Sequence, residues 1–461
     1  MKDQIKHIHF VGIGGVGMAG IAEVCLNLGY QVSGSDLSTS ANVQRLRALG
    51  AAVHIGHAAS AAQGADVVVV SSAVAEDNPE IQWARAHRIP VIPRAMMLAE
   101  LMRMRFGIAI AGTHGKTTTT SLTAAILTEG GLDPTYVIGG RLNATGAHAR
   151  LGTSRYLVAE ADESDASFLY LLPHMAVITN IEPDHMQTYG GDFARLQDTF
   201  VQFVQRLPFY GQVIVCHEDP VIRALMPRFE RRTLTYGLSP EADLYASDIQ
   251  FSGLSSRFTL HYGSLRLPVR LNMPGQHNVL NALAASAVAL SLDVAPAAIQ
   301  AALARFSGVG RRFQVGRMRL ADKQLVLVDD YGHHPTEIAA TLAAARQAWP
   351  DRRLWLVFQL HRYSRTAEQF DRFVAVLQQA DGVILPPVYA AGEAPLPGAD
   401  HGAVARAMRS QGYERVFVTE DLDSCRARLV PLVADNDVVL VMGAGSIGQL
   451  ARRWQREQGD G

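Results

Sequence analysis

The segment AGTHGKTTTT has the composition of a loop that binds phosphate. Backbone N–H groups at Gly112 and Gly115 can face an anion. Lys116 can reach the β- and γ-phosphates of a nucleotide, and Thr117 can offer a hydroxyl to Mg²⁺. An isoleucine replaces the first glycine of the common G-x-x-x-x-G-K-[S/T] pattern. Because an apolar run precedes the loop and a helical Thr/Leu/Ala stretch follows it, we predict a strand, a phosphate-binding loop and a helix.

Metal ligands for this loop are expected at the ends of neighbouring strands, because open parallel sheets bind ligands at their carboxyl edge. Glu160 closes the apolar run RYLVAE ahead of the acidic loop ADESD, and His185 closes the loop NIEPDH. Carboxylate and hydroxyl oxygens suit Mg²⁺, whereas a histidine nitrogen is a less usual ligand. A solvated acidic loop and a structural histidine are the alternatives.

A second glycine motif, VGIGGVGMAG, lies near the N-terminus. Gly12, Gly14 and Gly17 fit the pattern G-x-G-x-x-G, and Asp36 ends the next apolar run. Alone, this pattern predicts a dinucleotide site, with NAD as the usual ligand. The second phosphate loop argues against hydride transfer, and the diphosphate of a different nucleotide would use the same glycines.

Two polar clusters, DDYGHHPTE and HRYSRT, follow apolar runs in the C-terminal third of the chain. Their positions predict that both lie at the carboxyl edge of one sheet. Arg362 and Arg365 could hold a carboxylate through two parallel hydrogen bonds. A surface salt-bridge cluster is the alternative.

The composition indicates a globular enzyme. Hydrophobic residues make up 48% of the 461 residues and charged residues 18%, and 42 Lys and Arg face 43 Asp and Glu. This balance gives no bulk attraction to nucleic acid or acidic membranes. Isolated Cys25, Cys216 and Cys425 argue against disulfides and a structural zinc site. With no signal-peptide pattern and no apolar run of about 20 residues, we expect a cytoplasmic protein.

Short Val/Ile-rich runs alternate with Ala/Leu-rich stretches, which predicts an α/β protein with parallel strands. Eight such runs stand near residues 10, 68, 109, 158, 178, 327, 356 and 440. The length predicts about three domains, since single domains usually have roughly 100–200 residues. We place them at 1–106, 107–310 and 311–461. Residues 244–274 alternate polar and apolar, as antiparallel strands with one wet face do.

Taken together, these motifs resemble the Mur ligase family. The segments HFVGIGGVGMAG, GTHGKTTTT, AEADESDASFL, TNIEPDHM, PGQHNVLNALAA, GRRFQ, DDYGHHPTE and HRYSRT occur in the family's order and span nearly the whole chain. The resemblance implies a Rossmann-like N-terminal domain, a central P-loop ATPase-type domain with a parallel or mixed sheet, and a Rossmann-like C-terminal domain. The first and seventh segments favour the member that adds alanine.

That resemblance also implies the reaction. L-alanine would be joined to the lactyl carboxylate of UDP-N-acetylmuramic acid through an acyl phosphate, at the expense of ATP, in peptidoglycan precursor synthesis. Mg²⁺ would be required, with Mn²⁺ as a substitute. We expect no nucleic-acid or membrane partner, and a monomer or homodimer.

The residues that the resemblance implies fall into four ligand-binding groups and one catalytic group. The UDP-sugar would be bound by Gly12, Gly14, Gly15, Gly17, Ser35, Asp36, Ser71 and Ser72. ATP would be bound by Gly112, Thr113, His114, Gly115, Lys116, Thr117, Thr118, His277, Asn278, Asn281, Arg312 and Asp330. The amino acid would be bound by Tyr331, His333, His361, Arg362 and Arg365, and the metal by Thr117, Glu160 and His185. Catalytic roles would fall to Lys116, His185, His333, Arg362 and Arg365, with His333 or His185 accepting the amine proton.

Three other functions stay open at this point. A nicotinamide-dependent oxidoreductase would use the first glycine motif but leaves GTHGKTTTT unexplained. A nucleotide hydrolase would release phosphate without any amino acid. Within the family, a ligase that attaches a ready-made tripeptide to the same UDP-sugar would need a wider amino-acid pocket.

Overall fold

The computed structural model describes residues 1, 4–71, 74–139, 143 and 149–456. The chain forms two compact units. The first contains Met1–Ile249, Arg257–Leu271 and Val279–Ser307, and the second contains Gln250–Ser256, Asn272–Asn278 and Gly308–Gly461. Mostly parallel β-sheets alternate with helices along the chain, which confirms the predicted α/β class.

In the described residues, the first unit begins with a five-stranded parallel sheet of order β3-β2-β1-β4-β5. Its strands and helices are β1 (His7–Val11), α1 (Val16–Asn27), β2 (Gln31–Asp36), α2 (Ala41–Ala48), β3 (Ala52–Ile55), β4 (Val67–Val70), α3 (Pro79–Ala86), β5 (Val91–Pro93) and α4 (Arg94–Arg103). All strands end at one edge, and the first glycine motif forms the turn between β1 and α1.

A larger mixed sheet follows, and most of it belongs to the same unit. Its strands and helices are β6 (Phe106–Ala111), α5 (Lys116–Glu129), β7 (Thr135–Val137), β8 (Ala149–Arg150), β9 (Tyr156–Glu160), β10 (Met175–Ile178), α6 (Phe193–Gln205), β11 (Gln212–Cys216), α7 (Pro220–Leu225), β12 (Arg232–Gly237), β13 (Leu244–Ser252), β14 (Ser255–Tyr262), β15 (Leu265–Leu271), α8 (Gln276–Ser291) and α9 (Pro296–Arg305). The strand order is β15-β14-β13-β12-β11-β10-β6-β9-β7-β8. The phosphate-loop motif joins β6 to α5 near the middle of this sheet.

The second unit contains the third sheet, of order β16-β17-β21-β18-β19-β20. Its strands and helices are β16 (Gln314–Leu320), β17 (Lys323–Asp330), α10 (Pro335–Ala348), β18 (Leu354–Phe358), α11 (Tyr363–Glu368), α12 (Phe370–Leu377), β19 (Gly382–Leu385), α13 (His401–Ser410), β20 (Val416–Val418), α14 (Ser424–Leu429), β21 (Val438–Met442) and α15 (Ile447–Arg456). β16 is antiparallel to β17, and the remaining described pairs are parallel.

The third sheet shows why its strands read as continuous apolar runs. Along β18, Leu356 packs into one apolar core and Val357 into another. Leu440 and Val441 of β21 divide in the same way. Because successive side chains point to opposite faces, a strand covered on both sides must be apolar at every position.

The predicted strands are confirmed. The eight apolar runs form β1, β4, β6, β9, β10, β17, β18 and β21. Residues 244–274 contain β13, β14 and β15, and because only Gly253–Leu254 and Gly263–Ser264 separate them, neighbouring strands must run antiparallel. Burial alternates along β15, as expected for a sheet with one wet face.

None of the helices in the described residues combines the length and the apolar character needed to cross a bilayer. Cys25, Cys216 and Cys425 are buried and form no disulfide.

Candidate active site

The phosphate loop, Gly112–Lys116, is shaped by two glycines with positive φ, 125° at Gly112 and 84° at Gly115. A side chain at Gly112 would collide with Thr179, which follows β10. The hydroxyl of Thr179 donates to the carbonyl of His114 (2.6 Å), and the backbone N–H of His114 donates to Asn180 Oδ1 (2.8 Å). The loop is therefore held from the neighbouring strand, as a rigid anion cradle requires.

Lys116 begins α5 and is nearly buried. Its Nζ donates to both carboxylate oxygens of Glu163, at 2.9 and 2.7 Å, and to the carbonyl of Thr113 at 3.1 Å. Burial alone would lower the pKa of Lys116, but the charges of Glu163 and Asp162 outweigh it and raise the pKa. The cation of the loop is thus present and charged, and a carboxylate occupies its donors.

Glu163 is only 3% exposed. Burial raises the pKa of its carboxyl to about 7, although Lys116 acts in the opposite direction. The hydroxyl of Tyr189 donates to the Glu163 carbonyl, which fixes the acidic loop. From the sequence, Glu163 is simply part of an acidic loop, because nothing in the motif indicates which of its carboxylates meets the lysine.

Two of the predicted metal ligands lie together. Thr117 Oγ1 donates to Glu160 Oε2 at 3.2 Å, and Gly139 N donates to Glu160 Oε1 at 2.6 Å. A hydroxyl and a carboxylate at the start of α5 form an oxygen-donor set of the kind that suits Mg²⁺. These residues therefore fit the ion that a nucleotide at this loop would bring.

The third predicted metal ligand, His185, ends the loop after β10 in a left-handed conformation with φ 55°. Its Nε2 lies 3.6 Å from Asp184 Oδ2, and its backbone N–H donates to Asp184 Oδ1 at 2.8 Å. Asp184 thus adds a carboxylate beside the histidine. A positive φ at a non-glycine residue stores strain, and such strain is common at functional sites.

The other predicted ATP residues of the first unit surround the loop. Thr118 is buried in the first turn of α5. Thr113 Oγ1 accepts from Glu182 N at 2.9 Å. Asn281 of α8 accepts from Thr119 at 3.2 Å, and its side chain lies where a Cβ at Gly115 would stand. Asn281 is therefore in contact with the loop.

The first glycine turn, Gly12–Gly17, is closed by β2. The N–H groups of Gly12 and Ile13 donate to the carbonyl of Ser35, at 2.8 and 2.9 Å, and Gly12 has φ 75°. Gly14 N donates to Asp36 Oδ2 at 2.8 Å. Gly15 is the residue before α1, and this helix begins without a side-chain cap. The turn therefore presents backbone amides at a helix N-terminus, which favours an anion.

The hydroxyl of Ser35 faces the interior. It donates to Glu80 Oε2 at 2.8 Å and lies 2.9 Å from His57 Nδ1, while His9 Nε2 lies 2.6 Å from Glu80 Oε2. Burial would raise the pKa of Glu80, but hydrogen bonds from His9, Ser35 and His57 lower it. Ser35 thus supports the turn through its backbone and through this buried network.

The remaining predicted sugar-site residue in the described ranges, Ser71, follows β4 and accepts from Val74 N at 3.1 Å. Ser72 lies outside the described residues. Gly17, in the first turn of α1, lies against the guanidinium group of Arg94. Arg94 is absent from the predicted site, and no motif in the sequence indicates it.

In the second unit, the two polar clusters do come together. The rings of His333 and His361 are 5.7 Å apart, and those of Tyr331 and His333 are 5.5 Å apart. Arg365 is 6% exposed, and its Nη1 lies 3.3 Å from His361 Nδ1. Burial, together with His333, Arg365 and Arg362, lowers the pKa of His361 to about 3, so this ring is neutral.

Arg362 precedes α11 with φ 69°, and its N–H donates to the carbonyl of Tyr389 at 2.9 Å. The ring of Tyr389 stacks on His361 at 5.4 Å. Sequence motifs did not indicate Tyr389, because it follows β19 with no polar cluster around it. Tyr389 adds a further aromatic side chain to this group of rings and arginines, whose guanidinium groups suit a carboxylate.

Four predicted ATP residues also lie in the second unit, namely His277, Asn278, Arg312 and Asp330. Asp330 accepts from Gly332 N and Phe313 N, both at 2.7 Å, and burial raises its pKa to about 6. The guanidinium carbon of Arg312 lies 5.1 Å from the Tyr331 ring centre. Asp330 therefore ties the GRRF segment to the DDYG segment.

His277 is half-buried and Asn278 is buried at the start of α8, within the second unit. Burial lowers the pKa of His277 to about 4, with Glu337 opposing and Arg312 assisting that shift. Asn278 Nδ2 donates to the carbonyl of Pro274 at 2.7 Å.

Family models match the chain in three consecutive parts. The model described as "Mur ligase family, catalytic domain" matches residues 7–106, "Mur ligase middle domain" matches 110–289, and "Mur ligase, glutamate ligase domain" matches 311–445.

Individual relatives match at high identity. A UDP-N-acetylmuramate–L-alanine ligase from Hydrogenovibrio crunogenus is 59% identical over 459 residues, which cover 99% of this chain and 100% of the relative. The ligase of the same name from Thiobacillus denitrificans is 60% identical over 455 residues, with 98% of each chain covered.

Solved structures agree. A UDP-N-acetylmuramate–alanine ligase from Thermotoga maritima superimposes with a TM-score of 0.83 at 30% identity, covering 99% of this chain and 100% of its own. A murein peptide ligase from Psychrobacter arcticus gives a TM-score of 0.72 at 25% identity, covering 98% and 99%.

Proposed function

The chain belongs to the Mur ligase family, and on that premise we propose that it joins L-alanine to UDP-N-acetylmuramate at the expense of ATP. The observation that carries the proposal is the phosphate loop, with a buried, charged Lys116 and the Thr117–Glu160 pair beside it. Full-length identity of 59% and 60% to alanine ligases supports the choice of amino acid. The product, UDP-N-acetylmuramoyl-L-alanine, is a peptidoglycan precursor.

We assign the three ligands to three regions. The UDP-sugar binds in residues 1–106, with its diphosphate at the first glycine turn, and ATP binds in residues 107–310 at the phosphate loop. L-alanine binds in residues 311–461, at the group formed by Tyr331, His333, His361, Arg362 and Arg365. We also infer a cytoplasmic location, because ATP and a UDP-sugar are both needed.

Joining a carboxylate to an amine in water is uphill, so the lactyl carboxylate must first receive the γ-phosphoryl group of ATP. Lys116 and the amides at the start of α5 stabilise the charge on that group as it moves. Thr117 and Glu160 would hold Mg²⁺, with His185 as a further candidate ligand, and the bound ion would supply further positive charge. This transfer releases ADP, and the sugar then carries an acyl phosphate.

The amine of L-alanine attacks the acyl carbon, a tetrahedral intermediate forms, and phosphate departs. A base must accept the amine proton. His361 is a poor base, since its pKa is lowered to about 3. His333 and His185 therefore stay the candidates, and His333 has the Glu337 carboxylate 3.6 Å from its Nδ1 to orient it.

To test the proposal, purified protein is incubated with UDP-N-acetylmuramic acid, Mg·ATP and each amino acid in turn. The product is identified by mass spectrometry. We expect a product with L-alanine together with equimolar ADP and phosphate. A parallel assay with the tripeptide in place of the amino acid tests for murein peptide ligase activity. A product with the tripeptide and none with L-alanine would contradict the proposal, as would phosphate release without any ligation.

A further inference from the structure

Arg94 is the first residue of α4, and its charge is unfavourable for that position. The N-terminus of a helix carries partial positive charge and favours acidic residues. The first turn of α4 nevertheless contains no acidic residue, and no side chain caps it. Helix stability therefore does not account for an arginine here.

The sheet brings Arg94 to the edge where the first glycine turn lies. Val70 of β4 aligns with Val11, the last residue of β1, and with Pro93, the last residue of β5. Neighbouring strands are about 4.8 Å apart, so the ends of β1 and β5 are roughly 10 Å apart. Arg94 follows β5 in the same way that Gly12 follows β1.

The guanidinium group of Arg94 extends toward that turn. A Cβ at Gly17, in the first turn of α1, would collide with Arg94 Nη1 and crowd its Cζ. Glycine at this position therefore leaves room for the arginine. The segment VGIGGVG contains no cation of its own, so Arg94 brings a positive charge to the turn from another strand.

On its other side, Arg94 contacts the acidic loop after β9. Its Nη2 lies 3.4 Å from Asp162 Oδ2, and the two side chains are 28% and 40% exposed. An ion pair this long and this exposed contributes little to stability. A phosphate group would offer the guanidinium fork two shorter, parallel hydrogen bonds.

We propose that Arg94 binds the diphosphate of the UDP-sugar, and that Asp162 is an internal anion that the diphosphate displaces from the guanidinium group. The assignment rests on the proposed function and names a residue of its sugar site. Arg94 is then a binding residue, and Asp162 competes with the ligand for its guanidinium group.

The test is calorimetric titration of the full chain with UDP and, separately, with UDP-N-acetylmuramic acid. UDP carries the diphosphate without the muramic acid. We expect Arg94→Gln to weaken both ligands about equally, by roughly tenfold or more, because a charge-assisted contact is lost. Arg94→Lys keeps the charge but lacks the two-pronged guanidinium group, so its affinity for both ligands should lie between those of wild type and Arg94→Gln. Arg103→Gln is the matched control, since Arg103 lies on the same helix, is 60% exposed and pairs with Glu100.

Two results would overturn the assignment. One is unchanged UDP affinity in Arg94→Gln, and the other is weakening confined to UDP-N-acetylmuramic acid, which would place the arginine on the sugar acid. If Arg94 merely tied the two loops together, Asp162→Asn would weaken UDP binding as much as Arg94→Gln does. We expect Asp162→Asn to bind UDP at least as tightly as wild type. Wild-type protein that binds neither ligand would overturn the proposed function itself.

Discussion

The two glycine turns of the first unit follow the same path, from a parallel strand through a turn into a helix, yet they place charge differently. At Gly12–Gly17 the turn holds no cation, and the amide of Gly14 donates to the carboxylate of Asp36. At Gly112–Lys116 the cation is part of the turn, and Glu163 holds it through two hydrogen bonds.

The different placement of charge predicts a different role for each turn. In both, an internal carboxylate occupies groups that a phosphate would bind, so ligand binding exchanges one anion for another. Under the proposed function, Lys116 of the second turn acts on the phosphoryl group as it moves, and charge that acts on the moving group is what accelerates the reaction. The first turn should therefore govern binding alone, and the second should govern both binding and chemistry.

Lys116→Ala should have the largest effect of the substitutions that test this difference. We expect phosphate release to fall by about a thousandfold or more at saturating substrates, because removing one such electrostatic contact costs on the order of 10²–10³ in rate and the Glu163 carboxylate loses its partner as well. The control is Lys323→Ala, which removes a half-buried lysine that donates to the carbonyls of Val430 and Val433 in the second unit. Turnover within tenfold of wild type would place the cation outside the reaction.

Gly14→Val tests the first turn in the same manner. A Cβ at Gly14 would stand 2.8 Å from Asp36 Oδ2 and 2.9 Å from Ser40 Oγ, so the turn must shift. Overpacking typically costs about 1–3 kcal/mol, which predicts a rise of roughly tenfold to a hundredfold in the KM for the UDP-sugar. The KM for ATP is the internal control. A rise in the ATP value without one in the sugar value would reverse the assignment of the two turns.

Arg365→Lys extends the comparison to the second unit. Like Lys116, Arg365 is a buried cation, but its neighbour His361 is neutral rather than acidic. An ammonium group cannot reproduce a two-point contact with a carboxylate, so the KM for L-alanine should rise by about tenfold with little change for ATP. Arg372→Lys, on the exposed face of α12, should leave both values unchanged. Equal rises for both substrates would move Arg365 away from the alanine site.

The smallest expected effect concerns the pH dependence of stability at Glu163. In the unfolded chain this carboxyl titrates near its ordinary pKa of 4.5, and in the fold burial raises that pKa to about 7. Between these values the folded chain keeps a proton that the unfolded chain releases. The stabilisation is therefore complete below pH 4.5 and is lost as pH rises through about 7.

Glu163→Gln has the same shape and cannot ionise. The Tm of the ligand-free wild type, measured relative to that of Glu163→Gln, should therefore decline between about pH 4.5 and 7 and level off above that range. We expect a change of roughly 2–4 °C for each kcal/mol involved. A difference that is constant with pH, or that grows in favour of wild type, would show that the carboxyl titrates normally.

Both turns and the strands before them could be predicted from the sequence, because the spacing of glycine and lysine indicates a phosphate-binding turn and an apolar run indicates a buried strand. The sequence was also enough to predict that DDYGHHPTE and HRYSRT meet, since both follow parallel strands of one sheet. The pairing of Lys116 with Glu163 could not be predicted, because the partners are 47 residues apart and several acidic residues compete. The same holds for Arg94 and Asp162, 68 residues apart.

Ser35 illustrates a subtler difference. Ser35 lies at the end of β2, where a ligand contact is expected. The sequence does not indicate that the buried Glu80 lies within hydrogen-bond distance of the Ser35 hydroxyl. The structure directs the hydroxyl inward to that buried carboxylate. Which way a small polar side chain points at the end of a strand depends on its buried neighbours, and those belong to α3 and the loop after β3.

The division of labour between the two glycine turns is tested most directly by titrating wild type, Gly14→Val and Lys116→Ala with UDP-N-acetylmuramic acid and with Mg·ATP in one calorimetric series. We predict that Gly14→Val loses affinity for the UDP-sugar and keeps it for ATP, and that Lys116→Ala does the opposite. Loss of both affinities in either variant, at unchanged Tm, would contradict the assignment of separate ligands to the two turns.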